Sequence, residues 1–78
     1  MRPKTQQCIV TFHSTTEAMQ FEQAAKEAGF GGRIIPVPRE LTAGCGLSWR
    51  EETSAREALE RLIAELQLGY DRIAELIV

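Results

Sequence analysis

Two prolines separated by one residue, Pro36-Val37-Pro38, restrict the folds open to this chain more than any other feature. Proline has no N–H to give a neighbouring strand, and residues two apart in a strand direct their N–H groups to the same side. A strand carrying both can pair only on its other side, toward which Val37 still donates. Such a strand belongs at a sheet edge. The flanking segments supply the rest of the sheet. Gln7 to His13 reads as a strand, Arg33 to Pro38 as the second and Leu47 to Glu51 as the third. The Gly break at Gly69 and an apolar ending make Tyr70 to Val78 a fourth. Ser14-Thr15-Thr16-Glu17 has capping-box spacing and opens a helix to about Ala28, with Ala18, Phe21, Ala25 and Ala28 on one face and Gly29 ending it. Thr53 or Ser54 caps a second helix whose stripe is Ala55, Ala58, Leu59, Leu62 and Leu66, stopped by Gly69. The order is βαββαβ. It predicts an α+β, ferredoxin-like fold, an antiparallel four-stranded sheet with two helices on one face. Its usual strand order, 4-1-3-2, puts the second strand at an edge, in agreement with the prolines.

The 78 residues make one domain, residues 1–78, with 1–6 expected as a flexible N-terminus. A core this small leaves little room for a deep cavity holding several catalytic groups. The net charge is -2, and Lys and Arg are scattered without a basic stripe, which argues against nucleic acid as a partner. No apolar run approaches the roughly 20 residues that span a bilayer, so no membrane is expected. Met1-Arg2-Pro3-Lys4 lacks the apolar stretch of a signal peptide. The expected compartment is the cytoplasm, with both cysteines as thiols. Two Cys and one His fall short of a four-ligand zinc site, and no cofactor motif is present.

The topology separates the cysteines. The first two strands run parallel through a right-handed crossover, so the connection carrying Cys45 lies at the exit of strand one. There it meets His13 and the first helix's N-terminus, around Ser14 to Thr16. Cys8 begins strand one at the opposite end, too far for a disulfide, and alternates with Val10 and Phe12 as a small buried hydrophobe. Cys45 stands between Gly44 and Gly46, where the backbone can take unusual φ values and successive N–H groups can form an anion-binding nest. A helix N-terminus, with Arg39 or Arg50, adds positive potential that favours thiolate over thiol. His13 is a candidate proton partner. On residue types alone, a turn that merely tolerates cysteine is an equal reading. Trp49 is expected to pack in the core or on the open sheet face, and Glu51-Glu52 to be a solvated lead-in to the second helix.

The segment Pro36-Val37-Pro38-Arg39-Glu40-Leu41-Thr42-Ala43-Gly44-Cys45-Gly46-Leu47-Ser48-Trp49-Arg50 resembles the motif of the selenium/sulfur carrier protein-like family, namely Pro-x-Pro-Arg, a short Leu- and Ser/Thr-containing link, Cys-Gly, a small residue and Arg. Phe12-His13-Ser14-Thr15 followed by Ala18 also looks like that family's opening, and Trp49 stands where an aliphatic residue is common. The resemblance implies a carrier in a sulfur relay rather than a stand-alone enzyme. Cys45 would accept sulfur, or selenium, from a donor protein as a persulfide on an exposed loop and pass it to an acceptor. Arg39 and Arg50 would stabilise the anion; Gly44, Gly46 and Pro38 would shape the carrier loop.

Other functions stay open on the residues: a non-catalytic ferredoxin-like module binding a ligand or protein, and a thiol redox sensor. Strand four is apolar on both sides, with Ile73 and Ile77 on one and Ala74, Leu76 and Val78 on the other, and Ile9 lies opposite Val10. Two helices cover one face only, which leaves the other for a homodimer or a partner.

Overall fold

The computed structural model describes residues 5–42 and 44–77. In chain order these form β1 (Gln6–Thr11), α1 (Thr15–Glu27), β2 (Arg33–Pro36), β3 (Leu47–Glu52), a 3-10 turn (Thr53–Ala55), α2 (Arg56–Leu66) and β4 (Arg72–Ile77). The strands make one antiparallel sheet in the order β2-β3-β1-β4, so the fold is the α+β, ferredoxin-like one. The expected flexible residues 1–4 and Val78 of strand four lie outside the described residues, and Gln6 is already in β1.

The two prolines act as their chemistry requires. β2 is an edge strand, Pro36 pairs with Leu47, and the Val37 N–H between them donates to the Gly46 carbonyl at 3.1 Å. Regular pairing stops at Pro36, two residues earlier than expected. Beyond Val37 the chain leaves in a turn closed by the Leu41 N–H on the Pro38 carbonyl at 2.9 Å.

One face of the sheet carries the core. Cys8, Val10, Phe12 and Trp49 are fully buried against Ala18, Phe21 and Ala25 of α1 and Leu59 of α2. Phe21 is the keystone: its ring centroid lies 5.3 Å from Phe12 and 5.7 Å from Trp49, both tilted, a favoured aromatic arrangement. In α2 the buried stripe is Leu59, Leu62 and Ile63, whereas Leu66, Ala58 and Ala28, just past the end of α1, are exposed. Helical spacing alone could not separate these neighbouring positions, because the sheet meets each helix along a narrow line.

The helix ends differ from expectation in instructive ways. Ser14 caps α1, its hydroxyl accepting from the Glu17 N–H at 3.2 Å, but the Glu17 carboxylate reaches one residue further back, to the His13 N–H at 2.7 Å. Gly29 ends α1 at φ 89°. α2 begins through the 3-10 turn with neither Thr53 nor Ser54 capping it. It ends at Gln67, in the left-handed conformation (φ 52°), two residues before the Gly69 expected to stop it.

The second sheet face carries no helix, yet its centre is buried. Ile9, Thr11 and Ser48 are fully buried there. Thr11 donates to an Asp71 carboxylate oxygen at 3.3 Å, Ser48 to the Ile35 carbonyl at 3.3 Å, and an Arg72 guanidinium NH reaches the Thr42 carbonyl at 3.3 Å. Ala74 and Leu76, paired with Ile9 and Gln7, are half-buried on this face, and Ile73 and Ile77 lie on the helix side.

Candidate functional site

The link from β2 to β3 folds inward. Gly44 abuts the His13 backbone, where an added Cβ would stand 3.0 Å from the His13 carbonyl oxygen. That places Cys45 over the first turn of α1, as the crossover topology requires. Its Sγ lies 3.8 Å from the Thr15 hydroxyl and accepts the Leu47 N–H at 3.4 Å. Sulfur is therefore held by a backbone amide two residues on, with a hydroxyl opposite, at the positive end of a 13-residue helix. The expected exposure is corrected. Cys45 is only 7% exposed and belongs to the core cluster, because the inward fold points its side chain between β3 and α1 instead of out from the loop. Gly46 has no positive φ and offers its carbonyl to Val37, while Gly44 serves here by size, lying against the His13 backbone.

The other expected partners of Cys45 lie elsewhere. Arg50 sits on the opposite sheet face, paired with Ile9 and Arg33, because it alternates with Trp49 in β3. His13 is at the right end of the sheet, but carboxylates engage both of its ring nitrogens: Nδ1 is 3.1 Å from Glu17 and Nε2 3.4 Å from Asp71. Among the described residues no hydrogen bond joins it to Cys45. Arg39 is exposed in the turn after Pro38 and forms no ion pair among the described residues. Cys8 is fully buried and is a free thiol like Cys45; burial pushes its pKa from 9.0 up to about 11, which makes it inert. Among the described residues no group of three His, Cys, Asp or Glu is arranged to hold a metal ion.

Sequence reasoning missed two contacts. The Leu47 amide has no side-chain signature, since a backbone N–H can serve any loop. Glu51 is 6% exposed rather than solvated: its carboxylate accepts the Trp49 indole N–H at 3.0 Å and the Gly32 N–H at 3.2 Å. The i, i+2 spacing of Trp49 and Glu51 was the available signal, because a buried indole N–H needs an acceptor on its own face.

The fold and loop together define a small ferredoxin-like α+β domain with a thiol lodged between a hairpin connection and a helix N-terminus. The chain belongs to the family described as "Putative Se/S carrier protein-like", whose model matches residues 7–75. Over 39 residues it is 41% identical to the uncharacterized protein YtiA of Escherichia coli (strain K12), a stretch covering 50% of this chain and 46% of that protein. The chain thus matches about half the length of that curated relative. No solved structure matches. Among the described residues, no helix is long and apolar enough to cross a membrane.

Proposed function

We propose that the protein carries sulfur, or selenium, as a persulfide on Cys45, receiving it from a donor protein and handing it to an acceptor. The observation that carries this reading is the seat of the Cys45 sulfur at the first turn of α1, against the Leu47 N–H and the Thr15 hydroxyl. Those groups suit an anionic sulfur, whether thiolate or persulfide.

The step is redox-neutral. Cys45 thiolate attacks the outer, sulfane sulfur of a donor persulfide; a new S–S bond forms on Cys45, the donor's S–S bond breaks, and the donor leaves as a thiolate. Attack requires the sulfur to turn outward. Besides the contacts of the sulfur itself, the bonds that tie the link among the described residues are Val37 N–H to Gly46, the turn from Pro38 to Leu41, and Arg72 to Thr42. Pro38 limits how far that link can flex, and Gly44 and Gly46 keep its tip slim enough to enter a partner's site. Arg39, exposed on the link, offers a charge for docking. The relay belongs in the reducing cytoplasm.

The test incubates the protein with a cysteine desulfurase and cysteine and measures intact mass. One added sulfur, lost on reduction, retained in Cys8→Ser and absent in Cys45→Ser, is the expected result. A mass gain that survives in Cys45→Ser sinks the assignment. The burial of Cys45 favours a second reading, a non-catalytic module that binds a ligand or protein, with the open sheet face as the surface for a partner or a second copy. Under it no sulfur is acquired and Cys45→Ser alters stability alone.

A further inference from the structure

At the end of the sheet opposite Cys45, Gly31, Gly32, Arg33, Arg50, Glu52 and Gln7 border a cleft of about 490 Å³. Arg33 and Arg50 are direct cross-strand partners in β2 and β3, so both side chains rise from the same face. Like charges placed in this way repel. Neither guanidinium has an ion-pair partner among the described residues. The Glu51 carboxylate on the cleft wall is already engaged by Trp49 and Gly32, which leaves Glu52 as the other acid lining the cleft among the described residues. Gly31 has nothing within 4 Å of its Cβ position, so a ligand can approach the backbone there.

We propose that this cleft binds the phosphate group of a small hydrophilic molecule, with Arg33 and Arg50 as paired forks on its oxygens. Guanidinium geometry matches a phosphate's oxygens two at a time, and an anion between the two arginines removes their mutual repulsion. The volume admits a small molecule that carries the phosphate as well as the free anion. Among the described residues no aromatic ring lines it, so they offer a nucleobase no stacking surface. The site is separate from Cys45 and does not depend on sulfur transfer.

The test is an amide NMR titration of the full chain with inorganic phosphate and with glycerol phosphate at constant ionic strength, using chloride and succinate as controls. Saturable shifts at Gly31, Gly32, Arg33 and Arg50 are expected. A tighter response to glycerol phosphate identifies a phosphate ester as the source; an equal response identifies free phosphate. Arg33→Gln or Arg50→Gln, with amide dispersion intact, is expected to weaken binding at least about tenfold. The Lys variants recover part of it, Glu52→Gln tightens it, and Cys45→Ser leaves it unchanged. Shifts that stay linear, that chloride or succinate reproduce, or that survive Arg33→Gln overturn the proposal.

Discussion

Gly32 shows how one position can be closed to every other residue. An added Cβ would collide with the Arg50 carbonyl oxygen and stand 2.6 Å from the Glu51 carboxylate and 2.8 Å from the Trp49 indole nitrogen. Two of these are the partners in the buried hydrogen bond that orients Trp49 over Phe21. Gly32→Ala is therefore expected to destabilise the fold by about 1–3 kcal/mol through overpacking, read by urea denaturation. Glu51→Leu keeps bulk but leaves the indole and Gly32 N–H groups unpaired, and is expected to lose about 1–3 kcal/mol for each. A Glu51→Leu protein as stable as wild type would show that water replaces the carboxylate at no cost. At Cys45 the contacts are gentler. Among the described residues its sulfur meets one amide and one hydroxyl.

Helix ends bind the fold to the site. Ser14 caps α1 and Thr15, the next residue, touches Cys45, so the cap anchors the turn on which the sulfur rests. Ser14→Ala is expected to cost about 1 kcal/mol and to speed alkylation of Cys45, measured as the labelling rate under native conditions. Unchanged labelling would separate the cap from the loop. At the far end of α2, Gln67 holds a left-handed conformation that costs most residues about 1–2 kcal/mol. Gln67→Gly is expected to raise stability by a few tenths to about 1 kcal/mol in urea denaturation. The residue preference for glycine pointed to Gly69. The chain turned two residues sooner, because Leu68 donates to the Ile63 carbonyl and closes the helix there.

In the folded chain the two thiols differ in what must open to reach them. Cys45 needs only its link to move, whereas Cys8 is fully buried in the central strand β1 and needs the fold to open. Alkylation is expected to label Cys45 first, with Cys8 following at the rate of global unfolding, as resolved by peptide mass. Cys8 also makes stability depend on pH. Burial raises its folded pKa from 9.0 to about 11, so the native state keeps a proton that the unfolded chain releases in that window. The Cys8 contribution is whole below about pH 9 and falls as pH climbs toward about 11. The difference in unfolding free energy between wild type and Cys8→Ala should shrink over that range; a constant difference would contradict the assignment. Much of this architecture was legible in the linear order of residues. Pro36 and Pro38 put β2 at an edge because a missing N–H is a local, chemical fact, and the crossover rule then brought Cys45 to the start of α1. Side-chain direction was not legible. Whether Cys45 faces water, whether Glu51 is solvated and which helical neighbours are buried all depend on what lies opposite across the sheet. Those contacts join residues far apart in the chain, so local pattern leaves them undetermined, and only packing in three dimensions settled them.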